Sequence, residues 1–180
     1  LCPELCLEFG EAPPQDCKVT TEGQEFWVAF PGNAPTDPSN PLELSLCVRG
    51  PGETTVAWGT VEDGLVEAKP IVGGVATFKI PPQYTIDEEE TPRSAGIFVF
   101  ATRPVAVYAE TRIDYSTDAY TVLPTGLLGD DYRVLGYKNV WSDDAGEILN
   151  GTQFVVCAAF DDTVVSIEPT AKTTGNPSGG

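Results

Sequence analysis

Glycine and proline interrupt this chain so often that they disfavour long helices and favour short strands. There are 18 glycines and 16 prolines among 180 residues, and both residue types weaken a helix interior. Between them lie short runs rich in Val, Ile, Thr and aromatic residues, which is typical of β-strands. We predict strands over residues 25–30, 42–48, 54–60, 75–80, 97–101, 105–114, 120–123, 132–135, 153–160 and 163–167. The sequence therefore predicts an all-β protein, most simply an antiparallel β-sandwich.

Alternating residues indicate which side chains of these strands face a core. Leucines alternate with Glu, Ser and Cys over residues 42–48, and Val105, Val107 and Ala109 alternate in the same way. Such a period of two is expected for a strand with one buried face. The aromatic residues of the predicted strands are also expected in the core: Phe26, Trp27, Phe30, Trp58, Phe98, Phe100 and Tyr108.

The chain also repeats itself in a degenerate form. Residues 23–28 (Gly-Gln-Glu-Phe-Trp-Val) are echoed by 129–134 (Gly-Asp-Asp-Tyr-Arg-Val), and residues 47–56 are echoed by 157–164. The first copy continues into a strand-like run at 75–80 and two more apolar runs, which the second copy lacks. We therefore predict a Cys- and Pro-rich segment over 1–20, a first Ig-like or jelly-roll-like β-unit over 21–114, and a second, incomplete β-unit over 115–180.

The charge of the chain restricts its partners. With 27 acidic and 10 basic residues and no His, the formal net charge is −17. Such a surface repels phosphate, so we expect no nucleic-acid partner. It suits divalent cations and basic ligands, although solubility is the simpler interpretation. No apolar run approaches the roughly 20 residues that a membrane-spanning helix needs, so we expect no membrane span.

The number and positions of the five cysteines indicate in which cellular compartment the protein resides. Cys2, Cys6 and Cys17 crowd the N-terminal segment, which favours disulfide chemistry over a zinc site. Because five is an odd number, at least one thiol is free or is bonded outside this chain. Cys47 and Cys157 lie singly in apolar runs, where a small buried hydrophobic role is an alternative. We therefore expect a secreted, extracellular or cell-surface protein. Asn150 begins the sequon Asn-Gly-Thr and is a candidate for glycosylation in such a location.

Residue types needed for common enzyme chemistry are missing from the sequence. There is no His to serve as a general base, no Gly-x-Ser-x-Gly motif, and no glycine loop placed ahead of a helix to hold phosphate. Paired carboxylates for sugar hydrolysis remain open, because acidic residues are plentiful. We expect that the protein is not an enzyme.

Two long loops are the candidates for recognition. The first loop (33–41) contains three prolines, and the second loop (139–151) contains Trp141, a candidate ligand contact. Asp143, Asp144 and Glu147 of the second loop are candidate Ca²⁺ ligands, because calcium prefers carboxylate oxygens. Two further acidic pairs, 130–131 and 161–162, offer the same chemistry. The alternative is that all these acids are solvated turns, and 161–162 stands where a two-residue hairpin turn is expected.

Four motifs together resemble one known family. They are residues 23–30 (Gly-x-Glu-Phe-x-Val-Ala-Phe), 104–109 (Pro-Val-Ala-Val-Tyr-Ala), 117–125 (Thr-Asp-Ala-Tyr-Thr-Val-Leu-Pro-Thr) and 128–134 (Leu-Gly-Asp-Asp-Tyr-Arg-Val). This pattern resembles the N-terminal domain of IgGFc-binding protein, which also occurs in secreted bacterial multidomain proteins. The likeness covers residues 22–180 and is most specific over 104–134. It implies a secreted, all-β, non-catalytic module whose strands continue beyond residue 180; antibody binding is tied to one mammalian member and is not transferred.

Two functions follow as hypotheses. The first is an extracellular structural or adhesive module, such as a fibre or matrix subunit, that assembles with protein partners or with its own copies by β-strand complementation. The alternative is a glycan- or protein-binding module that uses the first and second loops, with or without Ca²⁺. No other cofactor is expected.

Overall fold

The computed structural model describes residues 20–33, 39–86, 92–114, 116–136 and 153–170. In these ranges the regular structure consists of nine strands and two single-turn 3₁₀ helices, Pro82–Tyr84 and Thr125–Leu127. The strands are β1 (Gly23–Val28), β2 (Phe30–Pro31), β3 (Glu43–Arg49), β4 (Thr55–Thr60), β5 (Gly64–Pro70), β6 (Val75–Ile80), β7 (Thr85–Ile86), β8 (Ile97–Ile113) and β9 (Ser116–Val122). The prediction of an all-β protein is confirmed.

Strand β8 organises the fold because it takes part in both halves of a curled antiparallel sheet. Its first part pairs with β1 and β4, and its second part pairs with β3 and β9. Strand β5 lies beside β4, and β6 lies beside β3. We call the order β5-β4-β8-β1 the first sheet and the order β6-β3-β8-β9 the second sheet. The short strands β2 and β7 pair separately and in parallel.

The sequence predicted two strands where β8 is continuous, and the place of Pro104 explains the difference. The prediction ended one strand at residue 101 and began the next at 105. In the structure, β4 pairs with β8 up to Ala101 and β3 begins to pair at Ala106. Residues 102–105 therefore have no described strand partner on that side, where a proline that lacks an N–H group can be accommodated. The chain passes from the first sheet to the second at this point.

The core lies between the two sheets and confirms the alternation read from the sequence. Leu44, Leu46 and Val48 of β3 are buried, as are the three alternating apolar residues of β8 from 105 to 109. The prediction for aromatic residues was only partly right. Phe26, Phe30 and Trp58 are buried, but four others lie on outer faces of the sheets and are half-buried or exposed: Trp27, Phe98, Phe100 and Tyr108. They alternate with the buried residues of the same strands.

Strands β5 and β9 differ from the sequence prediction. Strand β5 was missed because its Glu, Ala, Lys and Pro residues are weak strand formers. Strand β9 lies beyond the predicted boundary at 114/115, yet it pairs with β8 from Ser116 to Val122. Residue 124 also forms an antiparallel bridge with Phe26 of β1. The division into 21–114 and 115–180 stays a prediction, but the sheet that contains β8 extends across that boundary.

Three predicted strands do not form in the described part of the chain. Residues 132–135, 153–160 and 163–167 have no strand pairing there, and residues 129–134, the echo of β1, form no strand. A strand needs a neighbour for its backbone N–H and C=O groups. No described strand pairs with these segments, so their Val, Ile and aromatic content is insufficient to make them strands.

Candidate binding surfaces

Residues 153–160, which we call the C-terminal segment, have one half-buried and one exposed row of side chains. Val155, Cys157 and Ala159 are half-buried. The residues between them are exposed, with exposed fractions of 45% for Phe154, 51% for Val156 and 70% for Phe160. This alternation resembles that of a strand whose second face has no cover. Among the described residues, no backbone–backbone hydrogen bond involves this segment.

The half-buried row lies against the sandwich near the end of β1. The Gln153 side-chain amide donates a hydrogen bond to the Gly32 carbonyl oxygen. At Gly96, just before β8, an added Cβ would lie 3.6 Å from the Cys157 sulfur and 3.7 Å from the Trp27 ring. Cys157 and Trp27 therefore flank the same glycine. Within the described ranges, the segment contacts the sandwich through side chains and its backbone has no strand partner.

Tyr120 joins β9 to β1 beside this segment. Its hydroxyl donates a 2.6 Å hydrogen bond to the Ala29 carbonyl oxygen. Burial raises the pKa of Tyr120 to about 12, with a smaller contribution from the nearby Cys157. Burial also raises the pKa of the Cys157 thiol. Because the thiolate is the reactive form of cysteine, Cys157 stays protonated and is poorly suited to nucleophilic chemistry at neutral pH.

Both ends of the first loop are fixed to the β8–β9 hairpin. Asn33 donates to the Thr111 hydroxyl over 3.4 Å and accepts a 2.8 Å hydrogen bond from the Ser116 hydroxyl. At the other end, the Asp114 amide donates to the Asn40 side-chain oxygen over 2.8 Å. Residues 34–38 of this loop lie outside the described ranges. The ends of the loop are therefore held by a rigid hairpin.

A cluster of side chains beside the β4–β5 turn forms a polar cleft of about 310 Å³. The Tyr84 hydroxyl donates to the Asp63 carboxylate over 2.6 Å, and the Thr60 hydroxyl donates to the same oxygen over 3.0 Å. The bond from Tyr84, followed by that from Thr60, lowers the pKa of Asp63, and the same carboxylate raises the pKa of Tyr84. Tyr84 therefore keeps its proton at neutral pH. The cluster ties the turn to the first 3₁₀ helix, which is a structural role.

The outer face of the first sheet carries a square of four side chains on β1 and β8. Trp27 is directly opposite Phe98, and Glu25 is directly opposite Phe100. The rings of Trp27 and Phe98 meet edge to face, with centroids 6.1 Å apart and an interplanar angle of 70°. Between these side chains lies a shallow cavity of about 340 Å³. Sequence reasoning missed this surface, although the alternation with buried Phe26 and Val99 could have indicated it.

Most site residues predicted from the sequence lie outside the described ranges. These are Cys2, Cys6, Cys17, Trp141, Asp143, Asp144, Glu147 and Asn150, and their roles stay predictions. The acidic pairs 130–131 and 161–162 are described, and both are exposed. The second pair forms a turn, as the sequence predicted, with Asp162 at a φ of 57°. Within the described ranges, no group of three or more His, Cys, Asp or Glu side chains could hold a metal ion.

Comparisons with known proteins give one match. A family model described as IgGFc binding protein matches residues 118–180, from within β9 across the C-terminal segment. No curated protein and no solved structure matches the chain. The described ranges also contain no helix with the length and apolar character to span a membrane. The resemblance predicted from the sequence is confirmed over residues 118–180, which match the IgGFc binding protein family, and over residues 22–117 it stays a prediction.

Proposed function

We propose that this chain is a non-catalytic extracellular module with a structural or adhesive role, which joins protein partners or its own copies by β-strand complementation. The observation that carries this proposal is the exposed apolar row of the C-terminal segment, Phe154, Val156 and Phe160. A second strand placed beside the segment would pair with its backbone and cover these side chains. The sandwich would gain a strand that its own described residues do not supply.

The energetic argument concerns the backbone as well as the side chains. An apolar side chain that is fully transferred from water contributes about 1.5–3 kcal/mol, and three such side chains are between 45% and 70% exposed here. Unpaired N–H and C=O groups beside an apolar row form a template for another strand. Strand addition provides both kinds of contact at once, with affinity from the backbone and specificity from alternate side chains.

The family match supports a protein-binding role. It includes β9, which closes the second sheet, and the whole C-terminal segment. The family description names a protein ligand for its namesake, the Fc part of IgG, and we take from it only the general class of protein-binding module. The crowded cysteines of the N-terminal segment support an extracellular location.

The test is self-association of the chain, measured by sedimentation velocity over a hundredfold range of concentration. We expect the wild-type chain to form oligomers that grow with concentration. Val156→Lys places a charge in the exposed row and should weaken this association at least tenfold, because a lysine at a strand–strand contact cannot be covered without loss of hydration.

Thr77→Lys is the matched control, since Thr77 is exposed on the outer face of β6 and gains the same charge. Both variants lower the net negative charge equally, so general repulsion between copies changes equally. A wild-type chain that stays monomeric throughout, or two variants that behave alike, would rule out assembly through the C-terminal segment.

The alternative of a glycan- or protein-binding module has one supporting observation, the attachment of both ends of the first loop to the β8–β9 hairpin. Loops held at both ends by a rigid scaffold are common recognition elements. In the Ca²⁺-dependent version, Asp143, Asp144 and Glu147 of the second loop would supply the ligands. Excess EDTA should then lower the melting temperature, and an unchanged melting curve would remove the calcium version.

A further inference from the structure

The outer faces of the two sheets differ in their chemistry. On the second sheet, the outward residues of β3, β6 and β8 include three bases and two acids: Arg49, Lys79, Arg112, Glu43 and Glu110. On the first sheet, the corresponding part of β1 and β8 carries three aromatic rings and one acid, and Phe100 is 45% exposed. An exposed sheet face is normally polar. Such an exposed aromatic patch on a sheet face is typical of a binding surface.

The geometry of the square fits a flat or compact cation. Directly opposite residues of antiparallel strands have Cβ atoms about 5 Å apart, and residues two apart along a strand are about 7 Å apart. Trp27 and Phe98 form one side of this rectangle, and Glu25 and Phe100 form the other. A cation bound between the two pairs would be close to aromatic rings from both strands, and cation–π attraction acts within about 6 Å of a ring centroid.

The charge of the square also selects a cation. Its single ionisable side chain is the exposed carboxylate of Glu25, and no base belongs to the square. The whole chain has a formal net charge of −17, so its long-range field attracts basic ligands. Among protein cations, the guanidinium of arginine stacks on aromatic faces and pairs with a carboxylate through the same plane of N–H donors.

We propose that Glu25, Trp27, Phe98 and Phe100 form a binding site for an arginine side chain of a basic protein segment. The guanidinium stacks on the aromatic rings, and its edge donates hydrogen bonds to the Glu25 carboxylate. This site uses side chains on the outer face of β1 and β8, whereas the proposed strand addition uses the backbone of the C-terminal segment, which comes close to the site where Cys157 and Trp27 flank Gly96. Either proposal can fail without the other.

The experiment titrates the full chain with a Gly-Arg-Gly peptide blocked at both ends, at low salt, and follows backbone and indole NMR shifts. The matched probe replaces arginine by citrulline, which keeps the shape but removes the charge. We expect the arginine peptide to shift signals of β1 and β8, and the citrulline peptide to bind at least about threefold more weakly, because the cation–π and carboxylate contacts both need the charge.

Two variants test the site itself. Glu25→Gln and Phe100→Thr should each weaken binding of the arginine peptide at least about threefold, since each removes one kind of contact with the guanidinium. The controls are Glu43→Gln and Tyr108→Thr, which make a matching loss of charge and a comparable loss of an exposed ring on the outer face of the second sheet. All four positions are exposed, and unchanged melting temperatures would show that the variants are folded.

The results decide the proposal in either direction. Weaker binding in both first-sheet variants, with unchanged binding in both controls, supports the site. Equal binding of the arginine and citrulline peptides overturns it, as does equal weakening by Glu25→Gln and Glu43→Gln, which would indicate general attraction to an acidic protein. Shifts confined to residues away from β1 and β8 also overturn it.

Discussion

Strand β8 and the C-terminal segment have similar sequences and opposite surroundings. Both alternate Val, Phe and Ala with few charges. Strand β8 has neighbours on both sides along most of its length, and five of its apolar residues are fully or almost fully buried: Ile97, Val99, Ala101, Val105 and Val107. The C-terminal segment has no paired strand among the described residues, and half of its apolar side chains are exposed. Composition therefore makes a strand possible, and a neighbouring strand makes it form.

The largest expected effect compares the same substitution in a paired strand of the sheet and in the C-terminal segment. Phe78 of β6 is fully buried, whereas Phe160 is 70% exposed. The Nζ atom of Lys69 lies 4.2 Å from the centroid of the Phe78 ring. Phe78→Ala should lower the free energy of unfolding by about 3–5 kcal/mol, because it leaves a cavity in the core. Phe160→Ala should change it by less than about 0.5 kcal/mol. Urea unfolding of the two variants measures both values under identical conditions.

If the two substitutions lowered the free energy of unfolding by similar amounts, the contrast between a buried and an exposed phenylalanine would be contradicted. Such a result would mean that Phe160 is packed in the folded chain. Should Phe78→Ala fail to fold, Ile80→Val provides a milder change in the same strand. Its expected cost is about 0.5–1.5 kcal/mol.

A second comparison places a methyl group in a paired strand and in a stretch that has no strand pairing. At Gly59 of β4, an added Cβ would lie 2.0 Å from the Gly64 carbonyl oxygen and 2.6 Å from the Phe98 ring. At Gly129, beyond β9, it would have no neighbour within 4 Å. Gly59→Ala should destabilise the protein by about 1–3 kcal/mol, because backbone must move to make room, whereas Gly129→Ala should be nearly neutral. Equal effects in thermal unfolding would contradict the close strand packing.

The smallest effect concerns Tyr120 of β9, which lies close to Cys157 of the C-terminal segment. Tyr120→Phe removes the hydrogen bond to the Ala29 carbonyl oxygen and should cost about 1 kcal/mol at neutral pH. Chemical unfolding at pH 7 measures this difference. A variant as stable as the wild type would show that the bond does not hold β9 to β1.

The pH dependence sharpens this prediction. The pKa of Tyr120 is raised to about 12 in the folded chain, above the ordinary tyrosine value of about 10. The stabilising contribution of the protonated phenol is therefore complete below about pH 10 and is lost as the pH rises from 10 towards 12. The stability advantage of the wild type over Tyr120→Phe should shrink over this interval. An advantage that grows with pH would contradict the burial of the hydroxyl.

Sequence reasoning succeeded where local pattern and tertiary contacts agree. The alternation in β3 identified its buried face, because Leu44 and Leu46 both belong to the hydrophobic core. It failed for β5, whose charged Glu67 and Lys69 pair with each other across 3.0 Å and extend over the core at an edge. It also failed for residues 153–167, because no local signal reports whether a neighbouring strand is present.

The candidate surfaces were harder to predict than the fold. The sequence directed attention to acidic loops, whose members are individually conspicuous. The square on the first sheet depends on the register of β1 against β8, which places Trp27 beside Phe98 and Glu25 beside Phe100. These pairs are more than 70 residues apart in the chain, so their contact follows only from the fold. Because aromatic residues are expected in cores, the prediction overlooked that Trp27, Phe98 and Phe100 face outward, while Phe26 and Val99 beside them face inward.

Amide hydrogen exchange of the full chain at low concentration tests the central claim most directly. If residues 153–167 have strand-like sequences without a paired neighbour, their amides should exchange rapidly, while those of β3 and the paired parts of β8 exchange slowly. At concentrations where copies associate, the C-terminal segment should become protected. Protection of residues 153–160 in the monomer equal to that of β8 would contradict the account, because it would show that the segment already has a strand partner.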